Sequence, residues 1–211
     1  MSAPGKDATA RHRCAVLDAM GVIYKHGDDV GEVLIPYLRE KGCPFPAEEI
    51  ERAYTECSLG HMTSKEFWDR LGVGGVASDV EYCLRHELTE SLFGLLERLT
   101  SAGMRVACVS NDVSEWSREL RRRFDLNRYI GLWVVSGDVG VRKPDEKIYR
   151  LLLERVGVSA PEVVFVDDKP ANLDTAARCG MSTVVFGDRR ESVGAHVRAV
   201  SIERLAELLL P

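Results

Sequence analysis

The chain has 211 residues, of which 45% are hydrophobic and 29% charged, proportions that exclude bulk disorder and suit one globular domain or a domain carrying an insert. Lys and Arg total 28 against 33 Asp and Glu, a net charge of −5. So mild a balance supplies no global field to hold a phosphate backbone or an anionic bilayer, and neither a nucleic-acid nor a membrane partner is expected.

In chain order, residues 1–12 read as a polar tail without the apolar stretch of a secretory signal, and no apolar run approaches the ~18 residues of a membrane span. Cys14-Ala15-Val16-Leu17 is apolar at consecutive positions, as expected of a strand covered on both faces. Similar runs follow at 105–109, 132–135, 163–166 and 183–186. Between them, residues 114–124 set Trp116, Leu120 and Phe124 on one helical stripe, and a helix begins near Asp145. Pro170 opens a further helix that carries Leu173, Ala176 and Ala177 and stops at Gly180. Strand alternating with helix predicts an α/β fold, a doubly wound and mainly parallel sheet.

Residues 28–91 break that alternation. Ile50, Ala53, Tyr54 and Cys57 fall at helical spacing, and Thr63-Ser64-Lys65-Glu66 is a capping box ahead of Phe67, Trp68 and Leu71. Ser78 with Glu81 opens another helix, expected to run through Leu84 and Leu88. The division is therefore a core of 13–27 with 92–211, and a helical cap of 28–91. Ligands of open sheets bind beyond the carboxyl ends of the strands, so an insert after the first strand should lie over that crevice. The six cysteines, at 14, 43, 57, 83, 108 and 179, include no CxxC pair. They read as small buried hydrophobes in a reducing compartment, which points to the cytoplasm. Arg121-Arg122-Arg123 reads as a solvated helix face.

The residues just past the apolar runs carry the chemistry. They are Asp18, Ser110-Asn111 and Asp167-Asp168, with Lys143 standing ahead of the helix near Asp145. A carboxylate can attack phosphorus only if charge repulsion is offset, and a lysine plus a hard cation can do that. Asp18 and Asp167 offer oxygen ligands of the kind Mg²⁺ takes.

Four segments, in order, resemble the motifs of the haloacid dehalogenase (HAD) superfamily of aspartate-nucleophile hydrolases. They are Ala15-Val16-Leu17-Asp18-Ala19-Met20-Gly21-Val22, Val106-Ala107-Cys108-Val109-Ser110-Asn111, Arg142-Lys143-Pro144, and Val164-Phe165-Val166-Asp167-Asp168 followed by Asn172. The resemblance covers nearly the whole chain and implies a Rossmann-like core with a small α-helical cap. It implies that Asp18 is the nucleophile, forming an aspartyl intermediate, and that Lys143 neutralises charge on Asp18 and on the phosphate. Ser110, Asn111 and Lys143 would hold the phosphoryl group. Mg²⁺ would be held by Asp18, Asp167 and the backbone carbonyl of Met20. Asp168 would assist directly or through water, and Asn172 would tie the fourth loop together, its alternative reading being a hydrogen bond on a helix face.

One position departs from the family pattern. The second residue after the nucleophile, usually an aspartate serving as general acid and base, is Met20, and a thioether carries no proton. Asp28, Asp29 and His61 are candidates for that role, each with the alternative reading of a surface or capping residue. The departure keeps several readings open. The leading one is a Mg²⁺-dependent phosphohydrolase acting on a small soluble phosphate ester. The others are a metal-free 2-haloacid dehalogenase, a phosphonate-cleaving enzyme using a cap lysine such as Lys65, and a non-hydrolytic HAD-like binding protein. The Asp167-Asp168 pair favours a metal, and a metal favours phosphate. Tyr54, His61, Phe67 and Trp68 serve equally as substrate contacts or as cap packing, and no motif reads out substrate identity or oligomeric state.

Overall fold

The computed structural model describes residues 12–188 and 194–210. The expected polar tail, apart from residue 12, lies outside the described residues. In chain order the elements are β1 (Cys14–Leu17), α1 (Ile35–Glu40), α2 (Ala47–Cys57), α3 (Ser64–Arg70), α4 (Asp79–Cys83) and α5 (Leu92–Ser101). They continue with β2 (Arg105–Ser110), α6 (Ser114–Arg123), β3 (Leu132–Val135), α7 (Ser136–Val139) and α8 (Glu146–Val156). The last are β4 (Val163–Asp167), α9 (Pro170–Arg178), β5 (Ser182–Phe186), β6 (Val197–Ala199) and α10 (Ile202–Leu209). A single π-helical turn, Val30–Leu34, leads into α1.

The six strands form one parallel sheet in the order β3-β2-β1-β4-β5-β6. Consecutive apolar residues suit these strands because both faces are covered. Ala15, Leu17, Val164 and Val166 face one hydrophobic cluster with Leu95, Leu99 and Leu120. Cys14, Val16, Val163 and Phe165 face the other, with Ile148, Tyr149, Leu152 and Leu173. The period-2 alternation thus divides one apolar run between two cores. The fold class is the one the runs predict. β6 is an addition: three residues with Val197 exposed make an edge strand too short to show as an apolar run.

The helices start where their caps say. Thr63 and Glu66 close the capping box, with Thr63 N–H to Glu66 Oε2 at 2.7 Å and Glu66 N–H to Thr63 Oγ1 at 3.2 Å. Asp145 caps α8 by accepting from Lys147 N–H at 2.9 Å. The helix expected from Ser78 through Leu88 is shorter than its pattern: α4 ends at Cys83. Two tertiary contacts explain the stop. Arg123 donates to the carbonyls of Cys83 and His86 at 2.6 and 2.9 Å. The chain beyond is extended, with Lys25 N–H to Glu87 O at 3.0 Å and Thr89 N–H to Ile23 O at 2.9 Å. Arg121–Arg123 is accordingly only partly a solvated face. Arg122 is exposed, whereas Arg123 caps those carbonyls and Arg121 lies over the Trp133 ring at 5.3 Å.

The inserted helices share one continuous hydrophobic cluster with the core. Its centre is Trp116, fully buried on α6, whose ring centroid lies 4.5 Å from Tyr82, 5.1 Å from Trp68 and 5.4 Å from Phe67. Asp79 Oδ1 accepts from both indoles, Trp116 Nε1 at 2.7 Å and Trp68 Nε1 at 2.8 Å, and its Oδ2 accepts from Ser64 Oγ at 2.7 Å. Phe67 and Trp68 are thus packing residues. The six cysteines are free thiols, five of them buried. No helix among the described residues is long and apolar enough to cross a membrane.

Candidate active site

β1 lies at the centre of the sheet, and chain order reverses there, with β2 on one side and β4 on the other. Such a switch point opens a crevice at the carboxyl ends of the strands. Asp18 follows the last residue of β1, Ser110 ends β2 and Asp167 ends β4. The parallel register therefore brings residues far apart in sequence to one edge. Asp18 N–H donates to Val166 O at 2.8 Å, which sets Asp18 beside Asp167.

Lys143 arrives from the loop between α7 and α8. Its Nζ lies 2.6 Å from Asp18 Oδ1 and 2.8 Å from Asp167 Oδ2, and all three side chains are buried. Asn111 fixes that reach. Its Oδ1 accepts from Lys143 N–H at 2.7 Å and its Nδ2 donates to Lys143 O at 2.9 Å. Asn111 also lines the cleft, with its side-chain amide engaged on the Lys143 backbone. Ser110 lines it too, and differs in that its buried Oγ has no hydrogen-bond partner. Asn172 donates to both oxygens of Asp167, at 3.1 and 2.9 Å, and Lys169 N–H adds 2.8 Å to Oδ1. Its side chain points inward to the carboxylate, so the helix-face alternative does not describe it.

Asp168 is buried below the loop that follows Asp18. That loop needs a glycine there: Gly21 has φ +83°, and a Cβ on it would come within 2.9 Å of the Asp168 Cγ. Asp18, Asp167 and Asp168 offer one oxygen each with all three within 4.8 Å of one another. Burial, then the charge of Asp167, pushes the Asp18 carboxyl up to about 8, against the pull of Lys143. Burial also works against the Lys143 charge, but Asp167 and Asp18 outweigh it and hold the ammonium above its usual range. Three buried carboxylates gather here, and Lys143 pairs with two of them, Asp18 and Asp167. An all-oxygen donor set of that kind fits a hard divalent cation, which would keep Asp18 ionised.

The cleft itself is small, about 110 Å³, and its lining includes Asp18, Met20, Ser110 and Lys143. Two further walls are Tyr54 of the insert and Arg142, the first residue of the third motif. Tyr54 of α2 donates its hydroxyl to Asn111 O at 2.9 Å, and Arg142 lies over the Tyr54 ring at 5.4 Å while donating to Ser58 Oγ. The inserted helices thus close over the site through Tyr54. The position of Arg142 beside Lys143 is the one signal that could have suggested it.

The structure separates the candidate proton donors. His61 lines another cavity, with Arg118 and Asp138, and takes no part in the cleft. Lys65 is exposed and paired with Asp69 at 2.7 Å, which removes the cap-lysine reading. Asp28 and Asp29 both line the cleft. Asp28 is exposed and its Oδ1 accepts from Gly31 N–H at 3.1 Å, a capping role. Asp29 is buried, at 6% exposure, against its surface reading. Another cavity, about 540 Å³, lies at the opposite end of the sheet beside Arg13 and Arg105 and is lined by no carboxylate.

An open parallel sheet with a carboxylate at its switch point, bridged by lysine to a second carboxylate, defines an aspartate-centred α/β enzyme site. The haloacid dehalogenase-like hydrolase family model matches residues 12–180, and the chain belongs to that family. It is 35% identical over 89 residues to (S)-2-haloacid dehalogenase 4A of Burkholderia cepacia, covering 42% of this chain and 38% of that protein. It is 30% identical over 105 residues to the phosphoserine phosphatase of Thermus thermophilus, covering 50% of this chain and 42% of that protein. The matches thus span about two fifths of the length of these relatives. Among solved structures, a HAD phosphatase from Thermococcus onnurineus superposes with a TM-score of 0.73 at 18% identity, over 94% of this chain and 98% of that one.

Proposed function

We propose that this hydrolase is a Mg²⁺-dependent phosphohydrolase that cleaves a small soluble phosphate ester through an aspartyl-phosphate intermediate. The observation that carries the reading is the convergence of Asp18, Asp167 and Asp168, three buried carboxylates within 4.8 Å of one another. A phosphate dianion needs a cation between itself and the nucleophile, and three converging carboxylates offer oxygen ligands for one. Asp18, Asp167 and the Met20 carbonyl would hold the ion, with Asp168 beside them. Bound there, it would offset charge between nucleophile and phosphate.

The remaining work belongs to the chain. Ala19 N–H and Lys143 Nζ both contact Asp18 Oδ1, at 2.6 Å each, which leaves Oδ2 for attack on phosphorus. Lys143 holds that carboxylate in place and opposes charge on the phosphoryl oxygens. The unpartnered Ser110 Oγ supplies a hydrogen bond to the same group. A cleft of about 110 Å³ seats the reacting end of a small molecule. The expected partner is therefore a small phosphorylated substrate, with neither nucleic acid nor membrane.

A second reading has its own observation. The buried thioether of Met20 in the cleft, where a protic group would serve an ester, suits a haloalkanoate. A panel of phosphate esters and 2-haloacids separates the two, with phosphate and halide measured in Mg²⁺ and in EDTA. Phosphate release that stops in EDTA is the expected result. Halide release that persists in EDTA would replace the phosphatase reading with the dehalogenase one.

A further inference from the structure

We propose that Asp29 is the proton-transfer carboxyl of this site, giving a proton to the leaving oxygen and taking one back from the attacking water. This assignment rests on the phosphohydrolase reading. It starts from a polar atom without a partner. Asp29 is buried at 6% exposure, and its Oδ2 makes no hydrogen bond. The residue stands at the N-terminus of the turn Val30–Leu34, the usual place for a capping aspartate, yet its side chain caps nothing. Buried carboxylate oxygens are normally hydrogen-bonded or paired, and one left over beside a reacting centre points to a use there.

The cleft supplies the use. Asp29 and Asp18 line the same small cavity, about 110 Å³, so an ester seated against Asp18 shares that space with Asp29. Position 20, on the same wall system, offers only a thioether. The neighbours that face Asp29 set its charge. Burial pushes its carboxyl up to about 6, Lys169 pulls it down, Asp28 pushes it up, and a hydrogen bond from its own backbone and the charge of Arg142 pull it down. Tyr54, Tyr82 and Asp112 lie within its field as well. A carboxyl poised in this range can exist in either form near neutral pH, as a group that gives and regains a proton must.

The two steps balance as follows. Asp18 Oδ2 forms a bond to phosphorus as the bond from phosphorus to the leaving oxygen breaks. That oxygen takes the Asp29 proton and departs as the alcohol, leaving Asp29 as carboxylate. Water then attacks the phosphorus of the aspartyl phosphate and gives a proton to Asp29. The bond from phosphorus to Asp18 breaks, releasing phosphate and restoring both carboxyl groups to their starting forms.

The test compares wild type, Asp29→Asn and Asp29→Glu on an alkyl phosphate and on 4-nitrophenyl phosphate, from pH 5 to 8. The nitrophenolate leaves without a proton, so it reports whether the altered site is intact. Asp29→Asn is expected to lower kcat/KM for the alkyl ester roughly 10²-fold or more while 4-nitrophenyl phosphate loses less than about tenfold. The ratio of variant to wild type on one ester cancels the substrate's own ionisation. That ratio should rise as pH climbs through about 6, where wild-type Asp29 gives up its proton. Asp29→Glu should recover part of the alkyl rate. Equal losses on both esters, an effect confined to KM, or no effect would overturn the assignment and leave the phosphatase reading standing. If the wild type releases phosphate from neither ester, the phosphatase reading fails and the assignment falls with it.

Discussion

The aromatic seam around Trp116 and the cleft beside Asp18 are close neighbours that treat polar atoms in opposite ways. At the centre of the seam, Asp79 collects three donors, two indole N–H groups and a serine hydroxyl. In the cleft, Ser110 Oγ and Asp29 Oδ2 are buried with no partner. A buried polar group left unpaired costs on the order of 1–3 kcal/mol, so the seam is built for stability while the cleft keeps its donors and acceptors for something that arrives. The cleft also concentrates like charge, which the seam avoids. The exception gathers at one edge of the seam, where His86 packs against Tyr82 and Tyr24: both of its ring nitrogens and both tyrosine hydroxyls are buried without a hydrogen-bond partner.

If that contrast is right, a change in the cleft should remove turnover and spare the fold. Asp18→Asn makes the sharpest case: the amide is nearly isosteric but cannot attack. Turnover is expected to fall at least ~10³-fold, with the circular dichroism spectrum and melting curve close to wild type. Activity within a few fold of wild type would take Asp18 out of the mechanism.

The converse change is Trp116→Ala. It empties the middle of the seam and removes one of the three donors to Asp79, at an expected cost of about 3–5 kcal/mol in denaturant titration. The folded fraction should keep the wild-type preference among substrates. A shifted preference without lost stability would mean that the seam shapes the cleft directly.

Lys143→Ala removes the charge that bridges Asp18 and Asp167. A loss of roughly 10²–10³ in kcat is expected, read from released phosphate at saturating substrate. The result that would remove Lys143 from the chemistry is an unchanged kcat with a lowered melting temperature alone.

The smallest effect tests the exception. Burial holds His86 down to about 4, chiefly by desolvation, against an ordinary 6.5. Between those values the unfolded chain binds a proton that the folded one does not. The stability tied to this residue is thus complete above about pH 6.5 and is lost as pH falls towards about 4, by about 2 kcal/mol at pH 5. His86→Phe should flatten that part of the stability curve, measured in urea at pH 7 and pH 5. An identical slope in the variant would assign the acid sensitivity to another group.

Much of the architecture is readable in single segments. Ala15 and Val16 are both apolar because their side chains enter different cores, which is what a strand covered on two faces requires. The Thr63 box and the Asp145 cap are readable for the same reason, since a cap is a contact between residues two or three apart. β6 and the end of α4 were not. Val197-Arg198-Ala199 has no apolar run, and α4 stops because Arg123, forty positions away, takes the Cys83 carbonyl.

The site divides along the same line. The sequence by itself determined which groups stand at the ends of the strands, because strand ends follow from local apolar pattern and each end carries its next residue with it. Asp18, Ser110, Lys143, Asp167 and Asp168 are legible in that way. Only the tertiary structure decided what each group touches. It turned the Asn111 amide onto the Lys143 backbone and the Asn172 amide onto Asp167. It left Asp28 in solvent, sent His61 to another cavity and buried Asp29 with its Oδ2 unpartnered. Adjacent in the chain, Asp28 and Asp29 differ only in their surroundings. Burial and pairing are set by segments remote in sequence, and no local pattern contains them.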